Sequence, residues 1–158
     1  MARCGSAAVD SGNSARRDPG RFARTDLNES ALRTMTDTAT VLVVEDEILV
    51  RMFAVDALED AGFRVVQAGD AAEALKMLGT AGPVHAVIAD LGLPDRPGDQ
   101  LAAELRASHP QLPILIASGR SERELKDRFA GDACTGLLVK PYTASMLLEA
   151  LASLGVKP

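Results

Sequence analysis

From residue 40 onward, short apolar runs of strand length alternate with longer amphipathic runs, five times over. No other feature of the chain restricts its fold as much. The run 41–44 (VLVV) is wholly apolar, and 48–61 places Ile48, Met52, Val55, Leu58 and Ala61 three or four apart, a helical spacing, before Gly62. The pattern predicts a strand over 64–68, then a helix over 71–78 with Asp70 as N-cap and Gly79 as its stop. It predicts strands over 84–89, 113–117 and 136–139, and helices over 98–108, 121–129 and 143–154, the last with Thr143 as N-cap. Strands that are apolar throughout and separated by helices imply a parallel sheet covered on both faces. Right-handed crossovers then give a doubly wound, five-stranded α/β sandwich. In such a sheet the ligand lies outside the carboxyl ends of the strands.

Residues 1–39 lack this periodicity and set six Arg against five acids. They are expected to form a disordered extension ahead of a domain over 40–158, because so few large apolar residues cannot offset the entropy of ordering. Met35 is an alternative translation start. The pair Arg16–Arg17 is followed by polar residues and not by an apolar stretch, which argues against export, and the five acids argue against an organelle transit peptide. No apolar run approaches the roughly 18 residues of a membrane span. A cytoplasmic location is therefore expected. The net charge of −5 disfavours binding to nucleic acid by phosphate neutralisation. Two cysteines, Cys4 and Cys134, are too few for a disulfide-stapled scaffold.

Function therefore rests on the residues that follow each strand. Glu45, Asp46 and Glu47 follow the first, Asp90 the third, Ser118 and Gly119 the fourth, and Lys140 and Pro141 the fifth. At least three carboxylates, a hydroxyl and an ammonium would share one rim. Two like charges about 4 Å apart repel by about 4 kcal/mol at an effective dielectric near 20, a large share of a domain's roughly 5–15 kcal/mol of stability. The carboxylates need counter-charge. Lys140 supplies one unit, and hard oxygens suit Mg²⁺, which commonly shares its sphere with phosphate. That donor set points to phosphoryl chemistry with a carboxylate as in-line nucleophile.

The pieces VLVVEDE (41–47), VIADLGLPD (87–95), ILIASG (114–119) and LLVKPY (137–142) together resemble the receiver domain of two-component response regulators, over about residues 40–154. The resemblance implies the flavodoxin-like order of strands. It implies Asp90 as phosphoacceptor from a phosphohistidine donor, Ser118 as the hydroxyl that moves to the new phosphate, and Lys140 as its cationic partner across a cis bond to Pro141. It further implies Mg²⁺ held by Asp46 and Asp90 directly, by Glu45 through water and by the Gly92 carbonyl. The implied partners are a sensor histidine kinase or phosphotransfer protein and a downstream protein target, with no nucleic acid or membrane; a homodimer stays open.

Two positions depart from the family pattern. Leu137 stands where an aromatic is usual, which calls for a different switch relay, and Tyr142 stands where Phe is commoner. Gly92 and Arg120 occupy side positions that tune dephosphorylation in the family. His85 and His109 have no spaced partners and read as structural or exposed, Cys134 as a small loop or core residue, and SERELKDR (121–128) as a solvated helix face. The expectation is a stand-alone phosphorylation switch and not an enzyme, since 18 residues after Lys140 suffice for one helix. Phosphate at Asp90 is expected to draw Ser118 inward and repack 121–129, 136–139 and 143–154. The rivals are a small Mg²⁺-dependent phosphohydrolase, which would want a second Asp where Gly92 stands, and a receiver-like scaffold that never takes phosphate.

Overall fold

A computed structural model describes residues 38–158; residues 1–37 of the leader read as an extension, Cys4 among them, lie outside the described residues, while Ala39, placed in that leader, is buried in the core and accepts from the Arg64 N–H at 2.9 Å. Five strands alternate with five helices. They are β1 (Thr40–Val44), α1 (Ile48–Asp60), β2 (Arg64–Ala68), α2 (Ala71–Thr80), β3 (Ala86–Asp90), α3 (Gly98–Ser108), β4 (Ile114–Ser118), α4 (Glu122–Arg128), β5 (Thr135–Val139) and α5 (Ala144–Ser153). All neighbouring strands pair in parallel, in the order β2-β1-β3-β4-β5. From β1, second in the sheet, the path runs to the β2 edge and returns across β1 to the β5 edge, the doubly wound arrangement expected.

Side chains alternate across the sheet and feed two cores. Leu42, Val44, Val87, Ala89, Ile114 and Ile116 pack beneath α2, α3 and α4 through Ala74, Leu101, Leu105 and Leu125. Val41, Val43, Ile88, Leu115 and Leu138 pack beneath α1 and α5 through Leu58, Leu147 and Leu151. This explains why the central strands carry polar residues only at their ends: both faces are dry. Among the described residues no helix is long and apolar enough to cross a membrane.

Three local expectations change. Gly79 does not stop α2; the helix runs to Thr80 and reverses at Gly82, whose φ of +80° suits a residue without Cβ. Strand β3 begins at Ala86 and not at Val84, because His85 turns its ring to the N–H of Thr40, with Nδ1 as acceptor at 2.9 Å. Helix α1 is apolar around most of its circumference, and its inward face is Ala54, Val55 and Leu58. Ile48 and Met52, which share the spacing of that face in sequence, are exposed, as are Leu49 and Phe53. Asp70 and Thr143 do cap their helices, accepting from the N–H groups of Glu73 and Met146.

Candidate functional site

The carboxyl ends of β1, β3, β4 and β5 deliver the polar side chains. Glu45 follows β1 directly and is only 4% exposed, while Asp46 is on the surface. One Glu45 oxygen accepts from the Glu47 N–H at 3.1 Å and the other from the Lys140 ammonium at 2.7 Å. Lys140 also lies 3.3 Å from Oδ1 of Asp90. One cation thus spans two of the acids. Glu45, Asp46 and Asp90 each offer an oxygen within 4.8 Å of the others.

The electrostatics follow from burial. Loss of water pushes the Glu45 carboxyl up, and the Lys140 hydrogen bond and the Glu47 N–H offset that only in part. Burial pulls the Lys140 ammonium down, but its bond to Glu45 and the charge of Asp90 outweigh it, and the net shift is upward. Lys140 is therefore a firmly held cation. Three clustered carboxylates against this single ammonium are short of positive charge. Hard oxygens at this spacing fit a small divalent cation; Asp46 and Asp90 would hold it from the protein side.

Backbone contacts fix the end of β3. Gly98 opens α3 with its N–H donating to the Leu91 carbonyl at 2.9 Å. A Cβ at Gly98 would lie 2.2 Å from the Asp90 carbonyl oxygen, so the start of α3 and Asp90 approach backbone to backbone. Gly92 differs: a Cβ there would sit 3.8 Å from Oδ2 of Asp90, an ordinary contact. Ser118 is buried at the end of β4, and its Oγ accepts from the Arg120 N–H at 3.1 Å. The Lys140 N–H donates to the Ser118 carbonyl at 2.8 Å, and the Lys140–Pro141 bond is cis. The strand ends thus bring Glu45, Asp46, Asp90, Ser118 and Lys140 to one rim, with Gly92 on the loop beside it.

Some residues at the rim had no signal in the sequence pattern. Arg51 donates to the Glu45 carbonyl at 2.8 Å and steadies the β1–α1 turn. Asp95 binds across to α2, and Gly98 reads in sequence only as a helix start. Next to Lys140, a cleft of about 400 Å³ is lined by Leu49, Val50, Phe53, Pro141 and Tyr142. The Phe53 and Tyr142 rings stand 6.0 Å apart at 47°. The neutral form of Tyr142 is favoured by burial against this patch.

A family profile described as response regulator receiver domain matches residues 41–152. The sensor kinase CckA of Brucella abortus is 37% identical over 114 residues, covering 72% of this chain and 12% of that protein. The transcriptional regulatory protein PdtaR of Mycobacterium tuberculosis is 36% identical over 112 residues, 70% of this chain and 54% of that protein. The chain therefore spans about half or less of these curated relatives. Among solved structures, the chemotaxis response regulator CheY4 of Vibrio cholerae superposes with a TM-score of 0.67 at 31% identity, over 74% of this chain and 98% of that one.

Proposed function

We propose, since this chain belongs to the response regulator receiver domain family, that it is a phosphorylation switch whose acceptor is Asp90. The observation that carries the reading is Lys140: its ammonium lies 2.7 Å from Glu45 and 3.3 Å from Asp90, at the edge of three carboxylates that it cannot neutralise alone. An acceptor surrounded only by acids would repel a phosphoryl donor, so the rim makes sense with a divalent ion and a captured phosphate.

In this reading an oxygen of Asp90 attacks phosphorus in line, the P–N bond to the donor imidazole breaks, and an acyl phosphate forms on Asp90. Mg²⁺ held by Asp46, Asp90, the Gly92 carbonyl and, through water, Glu45 would neutralise phosphoryl oxygens. Lys140 pairs with one phosphate oxygen and keeps Glu45 in place. Ser118 gives up the Arg120 N–H and turns its hydroxyl to the phosphate. A phosphohydrolase of the two-aspartate kind would need a general acid two residues past the acceptor, where Gly92 has no side chain.

The donor and the receiver of the signal are proteins in this reading: a histidine kinase or phosphotransfer protein, and a downstream target. The apolar patch of Leu49, Phe53, Pro141 and Tyr142 adjoins Lys140 and supports a docking role, since contiguous exposed apolar surface commonly marks a protein contact. Incubation with acetyl phosphate and MgCl₂, read by intact mass, tests the acceptor. The wild type should gain one phosphoryl group and Asp90→Asn should not. Equal labelling of both would overturn the reading.

A further inference from the structure

The loop between β3 and α3 carries Gly92 and is tied down at more points than a surface loop needs. At its base the Leu91 N–H donates to the Ala117 carbonyl at 3.0 Å, and Gly98 closes back on Leu91. Along its length Leu91 and Leu93 are buried in the core beneath α2, α3 and α4. At its tip stands Asp95. This residue is exposed, yet both of its carboxylate oxygens are engaged. Oδ1 accepts from the N–H of Ala71 at 3.0 Å and of Arg96 at 3.1 Å, and Oδ2 accepts from the N–H of Ala72 at 2.9 Å. Those backbone bonds, with Ala71 foremost, hold its carboxyl below the usual range.

The link is not simply a helix cap. Helix α2 already has one: Asp70 accepts from the Glu73 N–H at 2.7 Å, and the Glu73 carboxylate accepts from the Gly69 N–H at 2.8 Å. Asp95 adds to these from 23 and 24 residues away. What it gains for the fold is a fixed distance between the first turn of α2 and the loop that follows the acceptor.

We propose that Asp95 is a positioning residue for the metal and phosphoryl site: clamping the loop tip to α2 holds the Gly92 carbonyl where the ion bound by Asp46 and Asp90 can use it. The proposal rests on the metal-site reading given above. Preorganised ligands bind more tightly because their ordering is already part of the fold. Loss of the clamp therefore shows in ion affinity, whereas loss of a cap alone shows only in stability.

Calorimetric titration of the full chain with MgCl₂ separates the two, with a thermal melt for each variant. The wild type should bind, and Asp46→Asn should lose most of the affinity. Asp95→Ala should weaken binding about tenfold, the lower end of what outer-shell changes cost metal sites. Asp95→Asn, which keeps one accepting oxygen, should fall between. Asp70→Ala removes a cap from the same helix without touching the loop; it should lower the melting temperature and leave Mg²⁺ affinity unchanged. Wild-type affinity in Asp95→Ala overturns the proposal and leaves the metal site standing. So does an equal loss in Asp70→Ala, which would reduce Asp95 to a cap. Absence of binding in the wild type at millimolar Mg²⁺ overturns the metal-site reading itself, and the proposal with it.

Discussion

Two glycines after Asp90, one on the loop and one opening α3, have opposite tolerances. Gly98 touches the Asp90 carbonyl through its backbone, and a Cβ would arrive at 2.2 Å, where neither partner can rotate away. Gly98→Ala should therefore cost about 1–3 kcal/mol or more, as overpacking does, and displace Asp90. Gly92→Ala meets only an ordinary contact at 3.8 Å and should stay within about 0.5 kcal/mol of the parent. Urea unfolding of both variants checks the contrast. The sequence shows which side chains gather at the rim (Glu45, Asp46, Asp90, Ser118 and Lys140), because each stands at or just past the end of an apolar strand. It does not show the Gly98 contact or the Asp95 clamp. Both partners of each lie on different elements, and no local pattern encodes a distance across the fold.

Between elements, Arg106 joins α3 to the start of β5. Its guanidinium donates to Asp132 at 3.0 Å, to Thr135 at 3.1 Å, and to the carbonyls of Pro110 and Leu112 at 2.9 and 2.8 Å. Burial raises the Asp132 carboxyl, but Thr135, the Cys134 N–H and Arg106 prevail and hold it below its ordinary value. A depressed native pKa means stability that is fully present above the unfolded value near 3.9 and lost as pH falls through the native one. Asp132→Asn should thus be less stable than the parent at pH 7 by about 1–3 kcal/mol. The gap should close below about pH 4, which denaturant melts at several pH values measure. Helix α1 belongs to the same scale. Its apolar spacing reads correctly as a helix, but an apolar residue every three or four positions does not say which face turns inward when both faces carry one. Ile48, Leu49, Met52 and Phe53 were legible as apolar and illegible as surface. Phe53→Glu should leave labelling by acetyl phosphate unchanged. Transfer from a histidine-phosphorylated donor that serves the wild type should slow by about fivefold or more, as for a residue worth over 1 kcal/mol at an interface. Radiolabel transfer assays compare the two.

For the whole molecule, the two cores share the sheet but not their helices. The architecture was legible from the alternation of runs alone, since dry strands separated by amphipathic helices leave few topologies. The path of a signal was not, because it depends on which packed groups can move. Ser118 is buried with its hydroxyl accepting from the Arg120 N–H, and Leu137 on the neighbouring strand is half-buried. Beryllofluoride with Mg²⁺ should therefore shift the backbone amides of Ser118, Arg120, α4 and β5, and leave β2 and the body of α2 in place. A nitrogen–proton correlation spectrum of the labelled protein reads this directly. Unmoved amides in α4 and β5 at saturation would exclude that route.

The backbone contact between Gly98 and Asp90 also sets terms for rewiring. A library built to vary the proposed site has room at 92, where a new Cβ makes only an ordinary contact with Asp90, and at 120, which is exposed. At 98 every replacement trades chemistry for breakage. Diversity belongs on the rim, and the tight backbone crossing under it stays as it is.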